Sequence, residues 1–262
     1  VEKDAVNTLS AGYVYSAKND SKMADLFVSG SEWRTNNFRN AFWYTGEILR
    51  GNLYKVFVKD EDMALINEKV YKELDVKNGV NIVVYAPTFR KDHRMDCYNI
   101  DYDALVNALE NKFGGEWCVV IRLHPNMSEL NSKIAYSDKV KNGSMYPQIN
   151  DLVFASKMLI SDFSGVIFAG YKYKKRVFLY ASDFDRYLKE ERGVYFDFND
   201  LPSPLAKNNS ELIDMINNFD DVLYKKKREN FVKTFGYYEE DGAKVVAERI
   251  SDIVNKNSME LS

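Results

Sequence analysis

From Asn81 onward, short apolar runs alternate with longer amphipathic stretches. The runs in NIVVYAPT (Asn81–Thr88), WCVVIRLHP (Trp117–Pro125), MLIS (Met158–Ser161) and RVFLYA (Arg176–Ala181) read as strands buried on both faces, because their apolar residues are consecutive rather than alternating. Between them, Tyr102–Phe113 carries a helical pattern stopped by Gly114-Gly115. Asn150-Asp151 can cap a helix that runs through Lys157, and VIFAGYKY (Val166–Tyr173) follows MLIS as a helix. Asp138–Met145 is a basic, polar connection with room for a short strand. Ser210 can cap a helix over Glu211–Phe219, and two more helices are predicted around Asp221–Phe235 and Asp241–Asn255. Strands alternating with helices predict βαβ units and a parallel sheet.

The first part of the chain has a different texture. Asp20–Phe27 and Glu32–Phe38 read as short helices broken at Gly30. Asp60–Leu74 places Met63, Leu65, Ile66, Val70 and Leu74 in a helical pattern. No set of alternating apolar strands precedes residue 59, so residues 1–58 are predicted to be mainly helical and packed on the body of the protein with the terminal helix. That helix carries Ala243, Val246, Ile250 and Ile253, for which Phe27, Trp33, Phe38 and Phe42 offer an apolar surface.

Composition narrows the function classes. The chain has 262 residues, 45% apolar and 29% charged, enough for a sizeable core. A net charge of -3 does not favour nucleic acid, and the aromatics lack the interleaved basic patch of a base-stacking platform. No apolar run approaches the ~20 residues of a membrane span. Cys97 and Cys118 have neither metal nor redox spacing, which fits a reducing cytosol. The chain opens at Val1, in what reads as a polar helix, and is expected to be a fragment.

In parallel α/β sheets, ligands bind beyond the carboxyl ends of the strands. That singles out Thr88–Arg90, His124–Asn126 and Ser161–Gly165. The last stretch carries Ser161, Asp162, Ser164 and Gly165 between a strand and a helix. Helix N-terminal N–H groups suit phosphate, the Ser164 hydroxyl can join them, and Gly165 lets a ligand approach the backbone. An ordinary N-cap uses the same residues. Alternation puts Arg122 and His124 on one side of their strand, a fixed cation beside a group that exchanges protons near neutral pH. Phosphoryl transfer asks for that pair; a histidine satisfied by a backbone carbonyl is the plainer alternative. His93 sits in a solvated run, Arg90–Arg94, of which Arg90 alone is expected to face a ligand. Glu190–Phe198 reads either as a charged turn before a strand or as a segment placing Arg192 or Glu191 over a cleft.

YAPTFR (Tyr85–Arg90), RLHP (Arg122–Pro125), ISDFSG (Ile160–Gly165) and ERGVYFDF (Glu191–Phe198), in this order, resemble the CDP-glycerol glycerophosphotransferase family. FVSGSEWRTNNFRNAFWYTGEIL (Phe27–Leu49) is similar to the family's interdomain segment. The resemblance implies an α/β protein of GT-B type, with a Rossmann-like parallel sheet flanked by helices. It divides the chain into an acceptor-side helical remnant and interdomain segment (1–58), a donor-binding domain (59–240) and a helix returning toward the N-terminal segment (241–262). It implies an enzyme that transfers glycerol phosphate, or a related polyol phosphate, from a CDP-activated donor to a teichoic-acid-like or capsular polymer, releasing CMP. His124 would be catalytic, and Thr88, Arg90, Arg122, Ser161, Asp162, Ser164, Gly165 and Arg192 would line the donor. The acceptor would be a polyol-phosphate or lipid-linked chain, reached by a cytoplasmic protein lying peripherally on the inner membrane face through regions outside this chain. No cofactor or metal-ligand cluster is implied; a divalent cation, if used, would be held loosely on the donor diphosphate.

Some positions depart from the family pattern. Its second essential histidine, in Trp-His-Gly, has no counterpart here. Leu53-Tyr54-Lys55-Val56 stand where it has Pro-Arg-Asn-Asp, with Arg50 or Lys55 as substitutes for the lost arginine. Gly165 replaces a serine, and Ala169 an aspartate, which bears on which polyol is taken. Two other readings stay open: a GT-B glycosyltransferase using a nucleotide-sugar, and a non-catalytic binding or scaffold domain.

Overall fold

The computed structural model describes residues 10–52, 60–90, 96–124, 127–190 and 196–260. The chain divides into two compact units, Lys59–Glu229 and Val1–Val58 with Asn230–Ser262.

In the second of these, α1 (Ala11–Met23), β1 (Leu26–Ser29), α2 (Glu32–Ala41) and β2 (Glu47–Arg50) follow one another. Strands β1 and β2 pair in parallel, Leu26 opposite Glu47 through Ser29 opposite Arg50. The stretch Asp20–Phe27, read as one helix, is the end of α1 and the start of β1. Both strands are only four residues long, too short to register as a pattern. Ser31 caps α2 by accepting from the Arg34 N–H at 3.1 Å. Phe27 stacks on Tyr44 at 4.0 Å and meets Phe38 edge-on, while Trp33 stacks on Phe235 at 5.2 Å.

The two compact units divide at 229/230, whereas the family resemblance sets the end of the donor-binding domain at 240. Backbone pairing between distant segments ties residues 238 and 240 to residues 30 and 52: the Tyr238 N–H donates to Gly30 and the Asn52 N–H to Glu240, at 3.0 and 2.8 Å. A Cβ on Gly51 would stand 2.7 Å from the Gly242 Cα, so the two segments need a glycine where they pass. Of the apolar residues expected to be covered on the last helix, Val246 and Ile253 are half-buried, whereas Ala243 and Ile250 are exposed.

The Lys59–Glu229 unit holds α3 (Asp60–Glu73), β3 (Asn81–Ala86), α4 (Tyr102–Phe113), β4 (Trp117–Ile121), α5 (Ser128–Lys133), β5 (Val140–Asn142), α6 (Ile149–Ala155), β6 (Met158–Ser161), α7 (Val166–Lys172), β7 (Arg176–Tyr180), α8 (Phe184–Glu190), β8 (Leu205–Ala206) and α9 (Asn209–Asn217). Helix α10 (Asp221–Phe235) crosses the division, and α11 (Gly242–Glu260) ends the chain. The six strands form one parallel sheet in the order β5-β4-β3-β6-β7-β8. Both faces are covered, as the consecutive apolar runs require. Val83, Tyr85, Val119, Ile121, Ile160 and Phe178 face a core shared with Leu105 and Leu109 of α4 and Leu212 and Ile216 of α9. Their neighbours Val84, Val120, Leu159 and Val177 point the other way and are also fully buried.

Two caps differ from expectation. Helix α6 begins at Ile149, and Gln148 at its N-cap makes no side-chain cap bond. Asn208, not Ser210, caps α9 by accepting the Glu211 N–H at 2.9 Å, and the Glu211 carboxylate in turn accepts the Lys207 N–H at 2.6 Å. On α7, a Cβ at Gly170 would come within 2.6 Å of Val177 Cγ2 and 3.1 Å of Leu159 Cδ2. Gly170→Ala gains helix propensity of up to ~1 kcal/mol but overpacks two residues of the sheet, at ~1–3 kcal/mol. A net destabilisation is expected in urea unfolding; a stabilised variant would contradict this packing.

Candidate functional site

Counting only this sheet, the strand order reads third, second, first, fourth, fifth, sixth. It reverses between β3 and β6, a topological switch point of the kind at which open α/β sheets bind ligands beyond the carboxyl ends of their strands. The residues that follow these two strands meet across it. Thr88, after β3, donates both its N–H (2.8 Å) and its hydroxyl (2.6 Å) to Asp162 Oδ1, after β6. The same oxygen accepts the Phe163 N–H at 2.7 Å.

Beyond β4 the extended chain continues, with the Arg122 N–H donating to Tyr85 at 2.8 Å. Alternation holds: Leu123 is buried, while Arg122 is half-buried and His124 exposed. The His124 ring lies 5.6 Å from that of Phe89, next to Thr88, which brings the β3 and β4 loops together. Arg122 Nη1 donates to the carbonyls of Leu123 (2.8 Å) and Ser144 (2.6 Å). Its Nε is buried without a partner among the described residues. Burial pulls the Arg122 guanidinium below its ordinary value, and among the described residues no carboxylate forms an ion pair with it.

Ser164 is half-buried, and its hydroxyl accepts the Val166 N–H at 3.3 Å. Gly165 is the exposed N-cap of α7 at φ -61°, a conformation open to any residue, and an added Cβ would meet nothing within 4 Å. The fold itself therefore does not demand a glycine there, and the space before it is open.

Three expected donor-lining residues turn inward. Ser161 is fully buried, its hydroxyl donating to the Ala86 carbonyl at 2.6 Å in the β3–β6 pairing. Asp162, 2% exposed, is filled by Thr88, Phe163 and Arg90. Arg90 is also 2% exposed, because Asp183 and Asp162 hold its guanidinium inside the protein. Burial alone would lower the Arg90 pKa, but the Asp183 hydrogen bonds and the two carboxylate charges outweigh it and raise it. Asp183 was not singled out in the sequence, although it follows a strand as Thr88 and Asp162 do. Arg192, His93, Lys55 and Leu53-Tyr54-Lys55-Val56 lie outside the described residues.

Cys97 and Cys118 are free and buried, and burial pushes the Cys97 thiol up to about 12. Among the described residues, no group of three or more His, Cys, Asp or Glu is placed to hold a metal, and no helix is long and apolar enough to cross a membrane.

A family model described as CDP-glycerol:poly(glycerophosphate) glycerophosphotransferase matches residues 3–256. The chain is 28% identical over 247 residues to a teichoic acid glycerol-phosphate transferase of Staphylococcus aureus, covering 91% of this chain and 63% of that protein. It is 27% identical over 190 residues to a teichoic acid poly(ribitol-phosphate) polymerase of Bacillus spizizenii, covering 70% of this chain and 29% of that one. Among solved structures, a variant of the wall teichoic acid polymerase TagF superposes with a TM-score of 0.76 at 25% identity, over 95% of this chain and 62% of that chain. The chain thus spans less than two thirds of the length of each of these proteins.

Proposed function

We propose that this chain, which belongs to the CDP-glycerol:poly(glycerophosphate) glycerophosphotransferase family, binds a CDP-activated polyol at the carboxyl edge of its six-stranded sheet and supplies the donor side of polyol-phosphate transfer. The observation that carries the reading is the Thr88–Asp162 closure at the switch point, flanked by His124 and by the open space at Gly165.

The chemistry follows from the groups at that edge. An acceptor hydroxyl attacks the phosphorus that bears the polyol. The bond between that phosphorus and the oxygen of CMP breaks, and CMP leaves with the electron pair. The hydroxyl proton passes to the His124 imidazole. Arg122, whose charge no described carboxylate neutralises, offsets charge on the diphosphate. Thr88 and Ser164 border that edge, while Ser161, Asp162 and Arg90 act from beneath it.

Glycerol is the polyol we assign, with the ribitol enzyme among the relatives marking the nearest substitute. The acceptor is a polyol-phosphate or lipid-linked chain at the inner face of the cell membrane. The test is base recognition. CDP or CMP at about 100 times its dissociation constant stabilises the chain by about 2.7 kcal/mol and raises its melting temperature, whereas UDP at the same concentration does not. Equal protection by UDP points to a nucleotide-sugar glycosyltransferase. Protection by neither points to a non-catalytic domain.

A further inference from the structure

We propose that Asp183 and Arg90 are positioning residues that hold Thr88 and the 162–165 loop in the one arrangement able to receive the donor. This rests on the donor reading above. Asp183 Oδ2 accepts from Arg90 Nε at 2.8 Å and Oδ1 from Nη2 at 2.9 Å, a two-point fork. The same Nη2 donates to Asp162 Oδ2 at 2.9 Å, and Nη1 donates to the Thr88 carbonyl at 2.6 Å. The Tyr98 hydroxyl adds a second bond to that carbonyl at 2.9 Å. Thr88 is thereby fixed from both sides: Asp162 takes its N–H and hydroxyl, and Arg90 with Tyr98 hold its carbonyl.

The network joins the exits of three strands that diverge at the sheet edge: β3 through Thr88 and Arg90, β6 through Asp162, and β7 through Asp183. Aromatic faces close around the guanidinium, Tyr187 at 4.8 Å, Phe163 at 5.2 Å and Tyr98 at 5.8 Å. Phe163, inside the loop, stacks on Tyr187 of α8 at 3.6 Å. Burying three charges is a poor route to stability, since apolar residues of similar size serve as well or better. What a forked guanidinium between two carboxylates provides is geometry. Lysine, a point charge with no planar fork, cannot reproduce it.

The test uses two readouts on the whole chain: amide hydrogen exchange by NMR and CDP affinity by calorimetry. In Asp183→Asn, exchange of the Thr88 and Phe163 amides is expected to speed up about tenfold or more while Val83 and Ile160 keep their protection. CDP affinity is expected to fall about tenfold or more, and Arg90→Lys to fail likewise. Leu212→Ala, which empties part of the core against α4, controls for lost stability and should keep CDP affinity within about twofold. A parent chain that does not bind CDP refutes the donor reading, and the functional half of this proposal with it. A parent that binds CDP, with Asp183→Asn binding as well or exchanging Thr88 no faster, overturns the positioning role and leaves the donor reading intact.

Discussion

Arg90→Ala is expected to cost the Lys59–Glu229 unit about 3–5 kcal/mol, because it leaves the buried carboxylates of Asp162 and Asp183 facing one another without their shared cation. A domain of this kind holds only about 5–15 kcal/mol in total, so the variant loses a large share of its stability. Urea unfolding should show a much lower midpoint with a similar slope. A midpoint equal to the parent's would mean that the ion triad does not form as described. The same substitution also frees the Thr88 carbonyl from one of its two donors, so the damage reaches the edge of the sheet as well as its stability.

The second large effect is chemical. In a complete enzyme that carries the second histidine, the proposed mechanism expects His124→Ala to lower the rate of CMP release from CDP-glycerol by about 10²–10⁴-fold while the donor KM changes little. In the proposed mechanism the imidazole would accept a proton only as the acceptor oxygen attacks, so its interaction would exist in the transition state and not in the donor complex. Being exposed, His124 can be replaced without opening a cavity in the core. Equal losses in kcat and donor affinity would make it a binding residue.

How far these features are legible in the sequence depends on the physics behind each. The central strands β3, β4, β6 and β7 are legible because burial on both faces forces consecutive apolar residues. Strand β8 has two residues and β1 and β2 four each, too few for any pattern to stand out. Helix α8 hides within a charged run, since only Tyr187 among its residues is buried. The chemistry at the sheet edge is legible in kind, because polar residues directly after a buried strand face solvent, a ligand or one another. Sequence cannot say which. Thr88, His124 and Gly165 stay at the edge, while Ser161, Asp162 and Arg90 turn in. The partner that draws Arg90 inward, Asp183, is 93 positions away, and no local pattern announces a pairing at that separation. The unit boundary at 229/230 is hidden for the same reason, as it depends on residues 30 and 52 pairing with residues 238 and 240.

Donor binding at the switch point between β3 and β6 is tested most directly by titrating the isotopically labelled chain with CDP-glycerol and following its backbone amides. The largest shifts are predicted at Thr88, Phe89, Leu123, His124, Ser164 and Gly165, with Asn81, Lys157 and Lys175 at the opposite ends of the strands unmoved. Saturable shifts centred on the latter group, or none at all, would contradict a donor site at the carboxyl edge.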